Sequence, residues 1–159
     1  MPPGATRVAI AMGSNLGDRR AHLAYAVEAL RPDLSDLRVS TFFESEPANV
    51  GPEHGPYLNA AVVGYTTLSP RHLLDRLLEI ESERGRFRPY AQAPRTLDLD
   101  LILYGGWRIN EDGLQVPHPR FGEREFVLEP LDEIAGEMID PVTGQTVAAL
   151  LVAKRHDRV

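Results

Sequence analysis

The chain has 159 residues, of which 43% are hydrophobic and 25% are charged, and its formal net charge at pH 7 is −6. These values are typical of one globular domain, and we expect a single domain over residues 1–159 with frayed tails at 1–6 and 154–159. The absence of cysteine excludes disulfides, thiol nucleophiles and thiolate metal sites, so any metal ion should be bound by oxygen.

The first half of the chain predicts a strand, a helix and two further strands. Residues 8–12 are apolar, and a turn over 13–18 leads into a helix that Asp18 caps. A second strand is predicted over 37–43 and a third over 58–67, separated by a long loop rich in proline, glycine and acid. The apolar run at 8–12 is too short for a signal peptide or a membrane span, so we expect a cytoplasmic protein without a membrane partner.

A second helix begins at Ser69, with Pro70 at its first position. Its predicted buried stripe consists of Leu73, Leu74, Leu77 and Leu78. Glu81 falls on the same stripe, and two interpretations stay open for it. Either the helix end frays into solvent there, or a carboxylate is held inside the apolar face.

The next strand alternates leucine with polar residues in the run PRTLDLDLILYG, residues 94–105. Since successive side chains on a strand point to opposite faces, one predicted face carries Leu97, Leu99, Leu101 and Leu103. The other predicted face carries Thr96, Asp98, Asp100, Ile102 and Tyr104. Two carboxylates about 7 Å apart along one face repel each other, and a bound cation would remove that cost.

The last third of the chain predicts a hairpin over 105–109, helical structure over 121–135 with an interruption near Pro130, and a closing helix over 147–153. The order strand, helix, strand, strand, helix, strand favours an α+β sandwich of ferredoxin-like type. We expect an antiparallel sheet with helices packed on one face and the active site on the other.

Arginine supplies nearly all the positive charge, because the only lysine is Lys154. This excludes a Walker A lysine, a protein-kinase strand lysine and a Schiff base in the body of the domain. Arg86, Arg88 and Arg95 run directly into the acidic strand. Paired carboxylates can hold two Mg²⁺ ions, and metal with arginine is a combination suited to phosphoryl transfer.

Two further segments contain candidate binding residues. His118 lies between prolines, with Arg124 and Phe126 close behind, and structural and functional interpretations are equally open for it. If Tyr57 is considered by itself, it would be assigned to the core. Asn59, on the same strand face, needs hydrogen-bond partners that a heteroaromatic ring could supply.

Taken in order, these motifs resemble the 6-hydroxymethyl-7,8-dihydropterin pyrophosphokinase family of folate biosynthesis. The match runs through AMGSNLGD (11–18), YLNA (57–60), IE (80–81), GR (85–86), PRTLDLD (94–100) and VPHPR (116–120). The resemblance implies that ATP, as co-substrate, donates its pyrophosphoryl group to the hydroxymethyl oxygen of the pterin, giving AMP and the pterin diphosphate.

The resemblance also implies a role for each matched residue. Asp98 and Asp100 would hold two Mg²⁺ ions, and Arg86 and Arg95 would neutralise charge on the triphosphate and the transition state. The nucleotide would be contacted by Glu81, Arg88, His118 and Arg124. The pterin would be bound by Ser45, Ala48, Tyr57, Asn59 and Phe126. Separately, the composition of the loop over residues 85–93 leads us to expect that it closes over both substrates.

Two other functions remain open from the residues alone. A two-metal nuclease or nucleotidyl transferase could use the same acids, although the acidic net charge argues against a nucleic-acid partner. A noncatalytic ferredoxin-like module that binds a ligand is the other. The partners we expect are the small molecules ATP and the hydroxymethyl pterin, with the protein acting as a monomer.

Overall fold

The computed structural model describes residues 4–45, 56–85 and 96–157. Its strands are β1 (Thr6–Ser14), β2 (Ser35–Val39), β3 (Phe43–Ser45), β4 (Tyr57–Thr66), β5 (Asp98–Tyr104), β6 (Ile109–Glu111) and β7 (Leu114–Val116). Its helices are α1 (Arg19–Leu30), α2 (Pro70–Glu83), α3 (Glu125–Ala135) and α4 (Val147–His156), and a 3₁₀ turn at Phe121–Glu123 precedes α3. None of the helices in these ranges is long and apolar enough to cross a membrane.

The main sheet is antiparallel throughout, with the strand order β2-β4-β1-β5. Strand β3 also pairs with β4, near the start of β4. Strands β6 and β7 form a separate two-stranded sheet. Among the strands of the described residues, the acidic strand β5 therefore lies at the edge of the main sheet and pairs with β1 alone.

Hydrogen-bonded caps begin both helices of the first half of the chain. Asp18 Oδ1 accepts the Ala21 N–H at 3.1 Å at the start of α1, and Ser69 Oγ accepts the His72 N–H at 3.2 Å at the start of α2. Each cap satisfies a backbone donor that has no partner inside its helix. Both predicted caps are confirmed.

Helices cover both faces of the sheet. The first face packs on α1 and α2 through a core that includes Ile10, Leu23 and Leu77. The second face packs on α3 and α4 through a smaller core that includes Leu128 and Leu151. The predicted α+β class with an antiparallel sheet is confirmed. The prediction that helices pack on one face alone is wrong, because the C-terminal helices α3 and α4 bury their apolar residues against the second face.

A β-bulge changes the faces of the acidic strand. Ala9 pairs with Leu103 and Ile10 with Leu101, so Ile102 is an extra residue in β5. Beyond the bulge Leu103 packs in the core of the second face and Tyr104 in the core of the first. The predicted faces are correct up to Leu101 and wrong for Leu103 and Tyr104, because one extra residue reverses the alternation.

The predicted second strand is divided into β2 and β3 at Ser40. The Ser40 N–H donates to Ala61 O at 3.0 Å, while Ser40 Oγ accepts the Ala61 N–H at 2.9 Å. A side-chain oxygen thus takes the place of a backbone carbonyl, which interrupts the regular ladder. The chain resumes pairing with β4 at Phe43.

Three smaller predictions also differ from the structure. Helix α3 continues through Pro130, because this residue is buried among core residues whose packing holds the helix together. Residues 107–109 do not form the predicted hairpin with β5, because Ile109 pairs with Val116 of β7 instead. On α2, Leu78 is exposed and Ile80 is buried in the core.

Candidate functional site

Gly13 lies at the centre of a row of residues that crosses three strands. It pairs with Asn59 of β4 on one side and with Asp98 of β5 on the other. Neighbouring strands are about 4.8 Å apart, so the Cα atoms of Asn59 and Asp98 are about 10 Å apart across the glycine. A Cβ at Gly13 would lie 3.5 Å from Asn59 Oδ1 and 3.7 Å from Tyr57 Cδ1. The glycine thus places no side chain of its own between an amide, an aromatic ring and a carboxylate.

Asp98 and Asp100 share the second face of the sheet with this row. Both are half-buried, and Asp100 pairs with Ala11, which pairs in turn with Ala61. Small side chains therefore border the aspartates on the β1 side. No group of three or more metal-binding side chains occurs among residues 4–45, 56–85 and 96–157. Two adjacent carboxylates fit Mg²⁺, which takes few protein ligands and completes its shell with water and substrate phosphates.

Glu81 is buried, with 3% of its surface exposed. Its Oε2 accepts the Leu99 N–H at 2.7 Å, and Leu99 lies between the two aspartates. Because β5 is an edge strand, this backbone donor would otherwise have no partner in the sheet. The structure excludes the interpretation of Glu81 as a helix end that frays into solvent. The carboxylate anchors the strand that carries Asp98 and Asp100.

His118 lies against the other end of β5. The backbone N–H of His118 donates to Ile102 O at 3.1 Å. Its ring Nδ1 accepts the backbone N–H of Arg120 at 3.4 Å, which assigns the proton of the neutral ring to Nε2. Burial and the Arg124 cation lower the pKa of His118, while the negative charge of Asp98 opposes them. The structure therefore brings the His118 imidazole, the Arg124 guanidinium and the Asp98 carboxylate close enough to influence one another electrostatically.

A cleft of about 230 Å³ lies between β3, β4 and α3. Its lining residues are Phe43, Glu44, Ser45, Asn59, Glu125, Phe126, Glu129 and Pro130. Asn59 Nδ2 donates to Ser45 Oγ at 2.7 Å and to Phe43 O at 3.3 Å, which leaves Asn59 Oδ1, beside Gly13, as an acceptor. Phe126 is 44% exposed, so one ring is available for stacking.

A larger cleft of about 390 Å³ lies at the start of α1 and contains none of the predicted site residues. Its two arginines already have partners on the protein. Arg19 pairs with Glu44 at 2.6 Å and donates to Pro56 O at 2.8 Å, and Arg20 lies over the Phe42 ring at 5.1 Å. The smaller cleft is therefore the stronger candidate for the ligand.

The structure brings most of the predicted site residues to one face. Ser45, Asn59 and Phe126 line the smaller cleft, and Tyr57 lies beside Gly13. Asp98, His118 and Arg124 form the charged part, while Glu81 supports β5 from its edge. The predicted residues Ala48, Arg86, Arg88 and Arg95 lie outside the described residues.

Glu125 and Glu129 also line the smaller cleft, and the sequence interpretation missed them. They flank Phe126 on α3 and are four residues apart, so they share one helix face. That spacing was the available signal, since it places both acids on the same side as the predicted aromatic residue.

A family model described as 7,8-dihydro-6-hydroxymethylpterin-pyrophosphokinase (HPPK) matches residues 9–136. The chain is 43% identical over 136 residues to a 2-amino-4-hydroxy-6-hydroxymethyldihydropteridine pyrophosphokinase of Haemophilus influenzae, with 83% of each sequence covered. A protein of the same name from Bacillus subtilis is 41% identical over 131 residues, covering 81% of this chain and 78% of the relative.

Other relatives are much longer than this chain. It is 40% identical over 143 residues to the folic acid synthesis protein fol1 of Pneumocystis carinii, covering 89% of this chain but 19% of that protein. Among solved structures, wild-type HPPK-DHPS of Plasmodium falciparum matches with a TM-score of 0.75 at 13% identity, over 94% of this chain and 44% of that one. At this identity the structural likeness supports the fold alone.

Proposed function

Because the chain belongs to the 7,8-dihydro-6-hydroxymethylpterin-pyrophosphokinase family, we propose that it transfers the pyrophosphoryl group of ATP to the hydroxymethyl oxygen of 6-hydroxymethyl-7,8-dihydropterin. The products would be AMP and the pterin diphosphate, as in folate synthesis. Membership of this family confirms the predicted family and the predicted enzyme class, a diphosphokinase.

The row from Asn59 through Gly13 to Asp98 is the observation that carries the proposal. In this row the Asn59 amide and the Asp98 carboxylate lie on one face of the sheet, with their Cα atoms about 10 Å apart. We assign ring binding to the amide and metal binding to the carboxylate. A pterin lying over Gly13 would extend its hydroxymethyl group from the Asn59 end towards Asp98. Holding acceptor and donor in this order makes the transfer effectively intramolecular.

Asp98 and Asp100 would hold two Mg²⁺ ions. The ions, when bound, would neutralise phosphate charge and lower the pKa of the acceptor hydroxyl. Glu81 would keep the two carboxylates at a fixed spacing through Leu99 rather than contact the nucleotide itself. This role for Glu81 differs from the nucleotide contact implied by the resemblance.

His118 and Arg124 would bind the phosphates of ATP. A neutral His118 donates a hydrogen bond from Nε2 without adding charge, while Arg124 offers a guanidinium fork that matches phosphate. Arg124 also lies 5.8 Å from the centre of the Phe126 ring, which links the phosphate side to the pterin side. Arg86, Arg88, Arg95 and Ala48 keep their predicted roles as proposals.

On the pterin side, Tyr57 and Phe126 would enclose the ring, and Asn59 Oδ1 would accept a hydrogen bond from its edge. Ser45 would act mainly through Asn59, since its Oγ accepts from Asn59 Nδ2. The hydrogen bond from Asn59 Nδ2 to Phe43 O fixes which amide atom faces the ligand, because a carbonyl oxygen can only accept. We propose that the protein acts as a monomer on these two small-molecule substrates.

The test is conversion of ATP to AMP in the presence of Mg²⁺ and the hydroxymethyl pterin. Asp98→Asn should lower kcat by at least about a hundredfold, because a ligand to the metal is lost, with the melting temperature nearly unchanged. Asp75→Asn, an exposed aspartate on α2, is the matched control and should retain wild-type turnover. ADP as the product, or full turnover by Asp98→Asn, would refute the proposal and favour a noncatalytic ligand-binding module.

A further inference from the structure

Strand β3 forms a short wall of the smaller cleft. It has three residues, and among the strands of the described residues it pairs with β4 alone. Its register places Phe43 opposite Asn59 and Ser45 opposite Tyr57. A short strand at the edge of a sheet frays readily, because few backbone hydrogen bonds hold it. Contacts from outside the sheet therefore matter for the position of β3.

The Asn59 amide depends on β3 for its orientation. Its Nδ2 donates to Ser45 Oγ at 2.7 Å and to Phe43 O at 3.3 Å, and both acceptors belong to β3. Asn59 is 4% exposed, so water cannot readily replace these acceptors if the strand moves away. The position of β3 thus decides whether Asn59 Oδ1 stays beside Gly13, where it can accept from the pterin.

Arg19, the first residue of α1, fastens β3 from outside the sheet. Its Nη2 lies 2.6 Å from Glu44 Oε1, and its Nη1 donates to Pro56 O at 2.8 Å. Glu44 is the middle residue of β3, and Pro56 immediately precedes β4. The Asp18 cap fixes the start of α1 beside Arg19. One guanidinium therefore joins a capped helix to β3 and to the beginning of β4.

We propose that Arg19 is a positioning residue of the pterin pocket, which holds β3 against the start of β4 through Glu44 and Pro56 and so keeps the Asn59 amide in its ring-binding orientation. The inference rests on the proposed function of the smaller cleft. Arg19 lines the larger cleft and Glu44 lines both, so the arginine acts on the pterin through the strand rather than by contact with the ring.

Loss of the Arg19 guanidinium should affect the pterin side of the site more than the phosphate side. Asp98 and Asp100 lie on β5, which pairs with β1, and the backbone of His118 is hydrogen-bonded to Ile102 of β5. None of these described contacts involves β3. The KM of the pterin should therefore rise, while kcat and the KM of ATP change little.

A purely structural role, fastening α1 to the domain, is the competing explanation. Leu23, Ala26 and Leu30 already bury α1 completely along one side. The Glu44 side chain is 60% exposed, and exposed ion pairs contribute little to stability. The substitution Arg19→Met, which keeps the apolar stem, should therefore leave the melting temperature nearly unchanged.

The test compares steady-state kinetics of the wild type, Arg19→Met, Glu44→Gln and the variant with both substitutions. We expect Arg19→Met to raise the KM of the pterin about three- to fivefold and Glu44→Gln to raise it about twofold, because Glu44→Gln leaves the contact with Pro56 O in place. In both, kcat and the KM of ATP should change less than about twofold. The double variant should match Arg19→Met within about 1.5-fold, whereas independent effects would multiply to about six- to tenfold.

A second readout follows the strand directly. In Arg19→Met, amide hydrogen exchange over residues 43–45 should be faster than in the wild type, and the side-chain amide resonances of Asn59 should shift. Arg31→Met is the matched control, because Arg31 lies at the other end of α1 and pairs with Glu28 at 2.8 Å. It should leave the pterin KM, the exchange of residues 43–45 and the Asn59 resonances as in the wild type.

An unchanged pterin KM in Arg19→Met, an equal rise in the KM of ATP, or multiplied effects in the double variant would each overturn the inference. Unchanged exchange over residues 43–45 would overturn it as well. If Arg19→Met fails to fold, Glu44→Gln decides: a rise confined to the pterin KM supports the inference, and an unchanged pterin KM overturns it. Absence of pterin-dependent AMP formation by the wild type would instead refute the proposed function.

Discussion

Glu81 offers the most direct test of how the fold supports the site, because its carboxylate joins α2 to the strand that carries both aspartates. It is 3% exposed, and its Oε2 accepts the Leu99 N–H at 2.7 Å. The substitution Glu81→Ala removes this acceptor from the Leu99 N–H, a backbone donor on an edge strand. The substitution Glu81→Gln keeps a neutral oxygen of the same shape in the same place.

The expected magnitudes follow from the burial of this contact. A buried donor left without a partner costs about 1–3 kcal/mol, and a hydrogen bond to a charged group contributes about 1.5–3 kcal/mol. We expect Glu81→Ala to lower the free energy of unfolding by about 3 kcal/mol and Glu81→Gln by about 1 kcal/mol. For a domain of this size, about 3 kcal/mol corresponds to a fall in Tm of about 6–12 °C.

Guanidinium denaturation measures the stability, and native-state hydrogen exchange measures protection of the Leu99 amide itself. Glu79→Ala, an exposed glutamate on the same helix, is the control and should change stability by less than about 0.5 kcal/mol. The kcat of Glu81→Ala should also fall, since the spacing of the aspartates loses its support. An Ala variant as stable as the control, or a Gln variant as unstable as the Ala variant, would refute the reasoning.

Three further predictions follow from single contacts. The pKa of His118, measured by NMR titration, should lie below 6.5 and should rise in Arg124→Ala. Because the unfolded wild-type chain binds this proton more readily than the folded protein does, the free energy of unfolding should fall as the pH drops below 6.5. Gly13→Ala places a Cβ 3.5 Å from Asn59 Oδ1 without a clash, so the Tm should hold while the KM of the pterin rises about tenfold. Asp18→Ala should cost about 1 kcal/mol in denaturation, and Asp18→Asn much less.

Local patterns predicted much of the architecture. The caps at Asp18 and Ser69 and the alternation of β5 up to Leu101 depend on neighbouring residues, which a sequence displays directly. The order of elements gave the correct fold class for the same reason. The PRTLDLD motif identified the strand with both carboxylates, and the structure places that strand beside Gly13.

Features that depend on distant parts of the chain were missed or mistaken. The bulge at Ile102 reverses the face of Leu103, and it exists only in the pairing of β5 with β1. The division of β2 from β3 depends on Ser40 meeting Ala61 across the sheet. Continuation of α3 through Pro130 depends on its core packing.

By itself the sequence determined the residue types of the site and the elements that carry them, because caps, alternation and motif spacing are local properties. The tertiary structure decided which of these residues meet. It buried Glu81 under the edge of β5, placed His118 near Arg124 and Asp98, and joined Arg19 to Glu44 and to the Pro56 carbonyl. Such contacts join residues far apart in the chain, and only the packing of helices on both faces of the sheet brings them together.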